Sequence, residues 1–210
     1  MIEVKKPGAD RRKFRGVIFD LDGVLVKSHL DFKLMRREIF GFDFNEPLLE
    51  KIKKISNPTK KDRAWKILER YEREAALTSE LNEGIPLLLE VLNKKNIKSS
   101  VVTRNSKESV DITNDRFKLN FNFIVTRDDA PPKPAKEPVL LSCKKMGLKP
   151  KDVMFIGDYE FDMVSGKGAG TTTVLLKNSK QPFSQNADII VDSLKDVLKI
   201  IDKKEEKSEN

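Results

Sequence analysis

Cysteine is nearly missing from this 210-residue chain: Cys143 is the single one, so no disulfide can form within it. That scarcity fits a reducing, cytoplasmic setting. Long apolar runs are missing too. None approaches the ~18–20 residues that span a bilayer, so no membrane role is expected. The head, Met1 to Lys13, is basic and lacks the apolar stretch of a secretory signal. Aromatic residues make up only 7% and do not interleave with the basic ones. A stripe that stacks on bases is therefore not expected, and nucleic acid is not the expected partner despite a net charge of +8. Histidine occurs once, as His29, which reads as a solvated or hinge residue. No internal repeat is found.

What is present is a chain 38% hydrophobic and 35% charged, with its apolar residues in clustered runs. It is long enough to bury a core. Few glutamines beside many lysines and glutamates is a composition found in heat-adapted proteins. Residues 15–20 read as a buried strand ending at Asp20, followed by a turn at Gly23. Residues 28–80 lack strand signals and read as three helices. The first opens at a Ser28-x-x-Asp31 capping box and runs to about Phe40. The second starts near Asn45 and Pro47 and stops at Asn57-Pro58; the third opens at Thr59-x-x-Asp62 and runs to about Ala76. Beyond Pro86, helices and strands alternate. Strands are expected at 99–103, 121–126, 152–157, 172–176 and 188–191, with helices at 86–94, 106–117, 135–146, 160–168 and 193–201. Strands joined through single helices predict an α/β fold, a three-layer Rossmann-like core with a mostly parallel sheet. A small helical cap is inserted after the first strand. The expected core is 1–27 and 81–210, with 1–13 and 203–210 as flexible tails, and the expected cap is 28–80.

In parallel sheets the ligand site lies beyond the carboxyl ends of the strands. Here those ends carry Asp20-Leu21-Asp22-Gly23, Thr103-Arg104-Asn105, and Gly157-Asp158 with Asp162 four residues on; Lys133 lies in the proline-rich loop at 130–134. Two like charges about 4 Å apart repel by roughly 4 kcal/mol at an effective dielectric of ~20. Four clustered carboxylates therefore call for a cation. Hard oxygen ligands favour Mg²⁺, which also accepts phosphate oxygens. A carboxylate can attack phosphorus while a second carboxyl protonates the leaving oxygen.

Phe19-Asp20-Leu21-Asp22-Gly23-Val24-Leu25 resembles the first motif of the haloacid dehalogenase superfamily. Thr103, Lys133-Pro134 and Gly157-Asp158-Tyr159-Glu160-Phe161-Asp162 resemble its second, third and fourth. The order matches from about residue 14 to 191. Val101-Val102-Thr103-Arg104-Asn105-Ser106 and Thr126 to Pro134 are most similar to its phosphoglycolate phosphatase-like branch. The resemblance implies a Mg²⁺-dependent phosphohydrolase of a small organic phosphate monoester, 2-phosphoglycolate being the family-level choice. Asp20 would be the nucleophile and a metal ligand. Asp22 would be the general acid/base, with its carbonyl on the metal. Thr103 and the amide of Arg104 would hold phosphoryl oxygens. Lys133 would stabilise the nucleophile and phosphate, Asp158 would bind metal, and Asp162 would support Lys133. Lys27, Lys136 and Tyr159 depart from the common pattern, and the cap is short. The same motifs serve a sugar-phosphate mutase, and a non-catalytic binding protein of this fold is a third reading. Oligomeric state is not read from the sequence.

Overall fold

The computed structural model describes residues 1–121, 123–177 and 184–202. Its strands, in chain order, are β1 (Ile2–Val4), β2 (Gly16–Phe19), β3 (Val26–Lys27), β4 (Glu80–Leu81), β5 (Lys98–Val102), β6 (Phe123–Val125), β7 (Val153–Gly157), β8 (Thr172–Leu176) and β9 (Ile189–Val191). Among the described residues seven strands form one sheet, in the order β1-β9-β8-β7-β2-β5-β6. All neighbours in it are parallel except β1, which pairs antiparallel with β9. The central strands β2 and β7 are buried at every position. That is why they read as unbroken apolar runs rather than alternating ones.

The helices are α1 (Phe32–Phe40), α2 (Leu48–Lys53), α3 (Pro58–Thr78), α4 (Ile85–Lys94), α5 (Lys107–Phe117), α6 (Glu137–Met146), α7 (Glu160–Ala169) and α8 (Leu194–Asp202). Val17 and Phe19 of β2 join one apolar cluster with residues of α4, α5 and α8; Ile18 between them joins a second with residues of α6 and α7. The period-two pleat thus feeds two helical layers, one on each face. The fold is a three-layer α/β structure of the expected kind.

Helices α1, α2 and α3 share an apolar cluster of their own around Met35, Ile52 and Leu68. The chain enters this block through β3 and leaves it through β4, which pair antiparallel as Val26↔Leu81 and Lys27↔Glu80. Asn82 locks the junction: its Nδ2 donates to the carbonyls of Gly23 (3.0 Å) and Val24 (2.8 Å).

Three expectations are corrected. The basic head is not a solvated tail where it is described, because Ile2–Val4 completes the sheet edge. The first helix does not start at Ser28: Asp31 is the N-cap, accepting from the Leu34 amide at 2.8 Å. The third opens two residues early by the same logic, with Asn57 accepting from the Lys60 amide at 2.9 Å and Pro58 at the first helical position. It also runs on to Thr78. The expected tail at 203–210 lies outside the described residues.

Candidate active site

Strands β2, β5 and β7 end side by side, which brings their loops to one edge. Asp20 follows β2, and its amide donates to the Ile156 carbonyl (2.9 Å). Its carboxylate accepts from the Leu21 amide (2.7 Å) and from Lys133 Nζ (2.6 Å). The same ammonium donates to Asp162 (2.6 Å) and to the Val102 carbonyl at the end of β5 (2.9 Å). Lys133 is only 2% exposed, so its three protons are all used inside the protein. Asp162, in the first turn of α7, also accepts from the Tyr159 amide (3.1 Å).

Asp20, Asp158 and Asp162 each offer a carboxylate oxygen, and these oxygens all lie within 4.8 Å of one another. Two glycines make the approach possible. Gly23 has φ +82°, and a Cβ there would lie 2.1 Å from Asp158 Oδ2. A Cβ on Gly157 would lie 2.2 Å from Asp162 Cβ. Real side chains do not tolerate such distances, so the carboxylates occupy space that only glycine leaves.

Burial pushes the Asp20 carboxyl well above the usual range; the Asp162 and Asp158 charges add to this and Lys133 opposes it. Burial alone would favour a neutral Lys133, but the Asp162 and Asp20 charges outweigh it and hold the ammonium above its ordinary pKa. A partly buried all-oxygen donor set with excess negative charge fits a hard divalent cation such as Mg²⁺.

Asp22 stands apart from this group. Its carboxylate accepts from Asn105 Nδ2 (2.8 Å). Burial raises its pKa against the hydrogen bonds of Ser28 and Asn105. Asn105 in turn donates its amide to the buried Thr103 Oγ1 (3.2 Å). Thr103 and Asp22 are thus linked through Asn105, a residue quoted in the sequence motif without a role. Arg104 directs its side chain away from this pair. One guanidinium nitrogen donates to the Lys133 carbonyl, and the other to both oxygens of Glu50 on α2 (3.1 and 2.8 Å). Neither Glu50 nor Phe161, which lies under that guanidinium, carries a local sequence signal. Between α2, α3 and the β6 loop lies a cavity of about 190 Å³, whose lining includes Leu49, Lys53, Trp65, Glu69, Arg127 and Asp128.

Acidic side chains and a buried lysine thus gather at the carboxyl edge of a parallel sheet, an oxygen donor set suited to a hard cation and an anionic substrate. The family model of haloacid dehalogenase-like hydrolases matches residues 17–176. The chain belongs to that family. It is 30% identical to a haloacid dehalogenase-like hydrolase domain-containing protein of Arabidopsis thaliana, over 91% of this chain and 85% of that one. It is 26% identical to the N-acetylmuramic acid 6-phosphate phosphatase of Pseudomonas aeruginosa, over 92% and 97%. Among solved structures, a predicted phosphoglycolate phosphatase from Haemophilus somnus superposes with a TM-score of 0.72 at 25% identity, over 90% of this chain and 98% of that one.

Proposed function

We propose that this chain is a Mg²⁺-dependent phosphatase of small organic phosphate monoesters, acting through an aspartyl-phosphate on Asp20. The observation that carries the reading is Lys133 Nζ placed 2.6 Å from both Asp20 and Asp162, inside a group of three carboxylates. Family membership and the phosphatases among the relatives support the reaction class.

In this reading an Asp20 oxygen attacks phosphorus and the ester P–O bond breaks. Asp22, whose burial favours the protonated form, gives its proton to the departing alkoxide, which leaves as an alcohol. The Asp22 carboxylate then takes a proton from water, whose oxygen attacks the same phosphorus and frees Asp20 and inorganic phosphate. Lys133 orients Asp20 and offsets charge on the phosphoryl oxygens. Thr103 and the Arg104 amide would hold those oxygens. Asp20, Asp158 and the Asp22 carbonyl would hold Mg²⁺, with Asp162 supporting; bound there, it supplies electrostatic neutralisation of phosphate oxygens. We take residues 28–80 as the cap over a core of 1–27 and 81–210. 2-Phosphoglycolate and sugar phosphates are the substrates the relatives' names point to first.

The test is phosphate release from a panel of such esters, with Mg²⁺ and with chelator. Release should require Mg²⁺, and Asp20→Asn should lower it on the order of 10⁴-fold or more, the scale of nucleophile loss. Equal activity of Asp20→Asn and the unaltered protein would rule out Asp20 as nucleophile.

A further inference from the structure

The family resemblance uses only the backbone amide of Arg104, and its side chain is left without a task. That side chain ends at three separate elements. One terminal nitrogen donates to the carbonyl of Lys133, in the loop after β6. The other donates to both oxygens of Glu50, on α2 of the helical block. The guanidinium carbon stands 4.8 Å from the centre of the Phe161 ring, in the first turn of α7. Arg104 is 20% exposed and Glu50 34%, so the pair is partly withdrawn from water. The residue that receives the first bond at its carbonyl is the one whose ammonium contacts Asp20 and Asp162. A continuous path of contacts therefore runs from Glu50 through Arg104 to Lys133 and Asp20.

We propose that Arg104 is a positioning residue whose guanidinium makes the seating of α2 over the site and the placement of the Lys133 ammonium a single event. A guanidinium can do this because its donors are fixed in one plane. One terminal nitrogen meets a carboxylate at two points while the other reaches a carbonyl. Phe161 supports the flat face, which fixes the plane and leaves the fork little freedom. When α2 lifts to admit substrate, Glu50 leaves Arg104 and the Lys133 loop loses a restraint. When α2 returns, the restraint returns with it. Lys133 is then held for catalysis only while the block is closed and water is shut out. This inference rests on the phosphatase reading for its kinetic consequence, though not for its structural one.

Two measurements test it together. The first is steady-state kinetics on a small ester from the panel, for Arg104→Ala, Arg104→Lys, Glu50→Ala and the Arg104→Ala/Glu50→Ala double variant. All four keep the backbone amide at 104. Misplacing a catalytic group by about 1 Å costs about 10²-fold, so Arg104→Ala should lose that much in kcat with little change in KM. Arg104→Lys keeps the charge but not the fork and should recover only part of the loss. Glu50→Ala should lose less than Arg104→Ala, and the double variant no more than Arg104→Ala alone, because both changes break one path. The second is hydrogen exchange of the α2 amides, which should quicken in both single variants. A structural staple alone would lower the melting temperature without moving kcat. A kcat for Arg104→Ala within twofold of the unaltered protein, or losses that multiply in the double variant, would overturn the proposal. If the unaltered protein cleaves no ester, the phosphatase reading falls by itself. Unchanged α2 exchange in Arg104→Ala would then still overturn the coupling.

Discussion

Two residues without side chains decide how closely the carboxylates gather. Gly23 combines a positive φ with contact against Asp158, so both backbone and space demand glycine there. Gly157 has no unusual φ; only space demands it. Gly157→Ala is therefore the cleaner probe. Its new methyl would overlap Asp162, which receives both the Lys133 ammonium and the Tyr159 amide. Overpacking of this kind costs about 1–3 kcal/mol, read by denaturant unfolding. With Lys133 shifted, kcat should fall roughly 10²-fold. An alanine variant of unchanged stability and turnover would show that the Asp162 contacts are looser than the geometry states. The acidic and basic residues were legible in the sequence because their chemistry is unusual at strand ends. Gly157 was not, since the need for it arises only once Asp162 folds back over it.

At the scale of elements, α3 is tied to the core by a buried ion pair. Glu72 and Arg127 are 4% and 6% exposed, and Glu72 also accepts from the Ser106 amide (3.1 Å). Burial pushes the Glu72 carboxyl up while the Arg127 charge pulls it down. Arg127 also donates to the Arg104 carbonyl (3.2 Å) and lies 5.3 Å from the Trp65 ring centre. Glu72→Gln would leave a buried guanidinium without its counter-charge, which costs roughly 3–5 kcal/mol. Arg73–Glu108 crosses the same seam with side chains 55% and 58% exposed, so Glu108→Gln should cost less than about 1 kcal/mol. Similar losses in both variants would contradict the difference in burial. The strands of the sheet centre were legible within a residue or two, because fully buried strands are apolar throughout. Strands β1, β3 and β4, of two or three residues each, were not. So few residues carry no periodicity, and their pairing partners alone make them strands.

Over the whole molecule, the acidic group is a source of instability that a cation would relieve. Asp20 and Asp22 have raised pKa values, so the folded chain holds protons that the unfolded chain has already lost. Above the ordinary carboxylate range, metal-free stability must then fall as pH rises toward the raised values. Mg²⁺ competes with those protons, so its stabilisation should grow with pH. The melting temperature should rise more on adding Mg²⁺ at about pH 7.5 than at about pH 5. An equal rise at both, or none, would show that the carboxylates do not bind the ion. Lys133 works in the same sense at higher pH: its raised pKa contributes stability that is fully present below the ordinary lysine value and is lost only as pH climbs through the raised one, beyond this window.

The sequence by itself determined the alternation of helix and strand and the set of charged residues at the strand ends. Both follow from local rules: apolar runs make strands, and a parallel sheet opens all its carboxyl ends on one edge. Only the tertiary structure decided the partners of the long side chains. Arg104 meets Lys133 across 29 residues and Glu50 across 54, and Glu72 meets Arg127 across 55. No local pattern encodes such pairs, because a flexible side chain takes its direction from whatever the packed elements place around it.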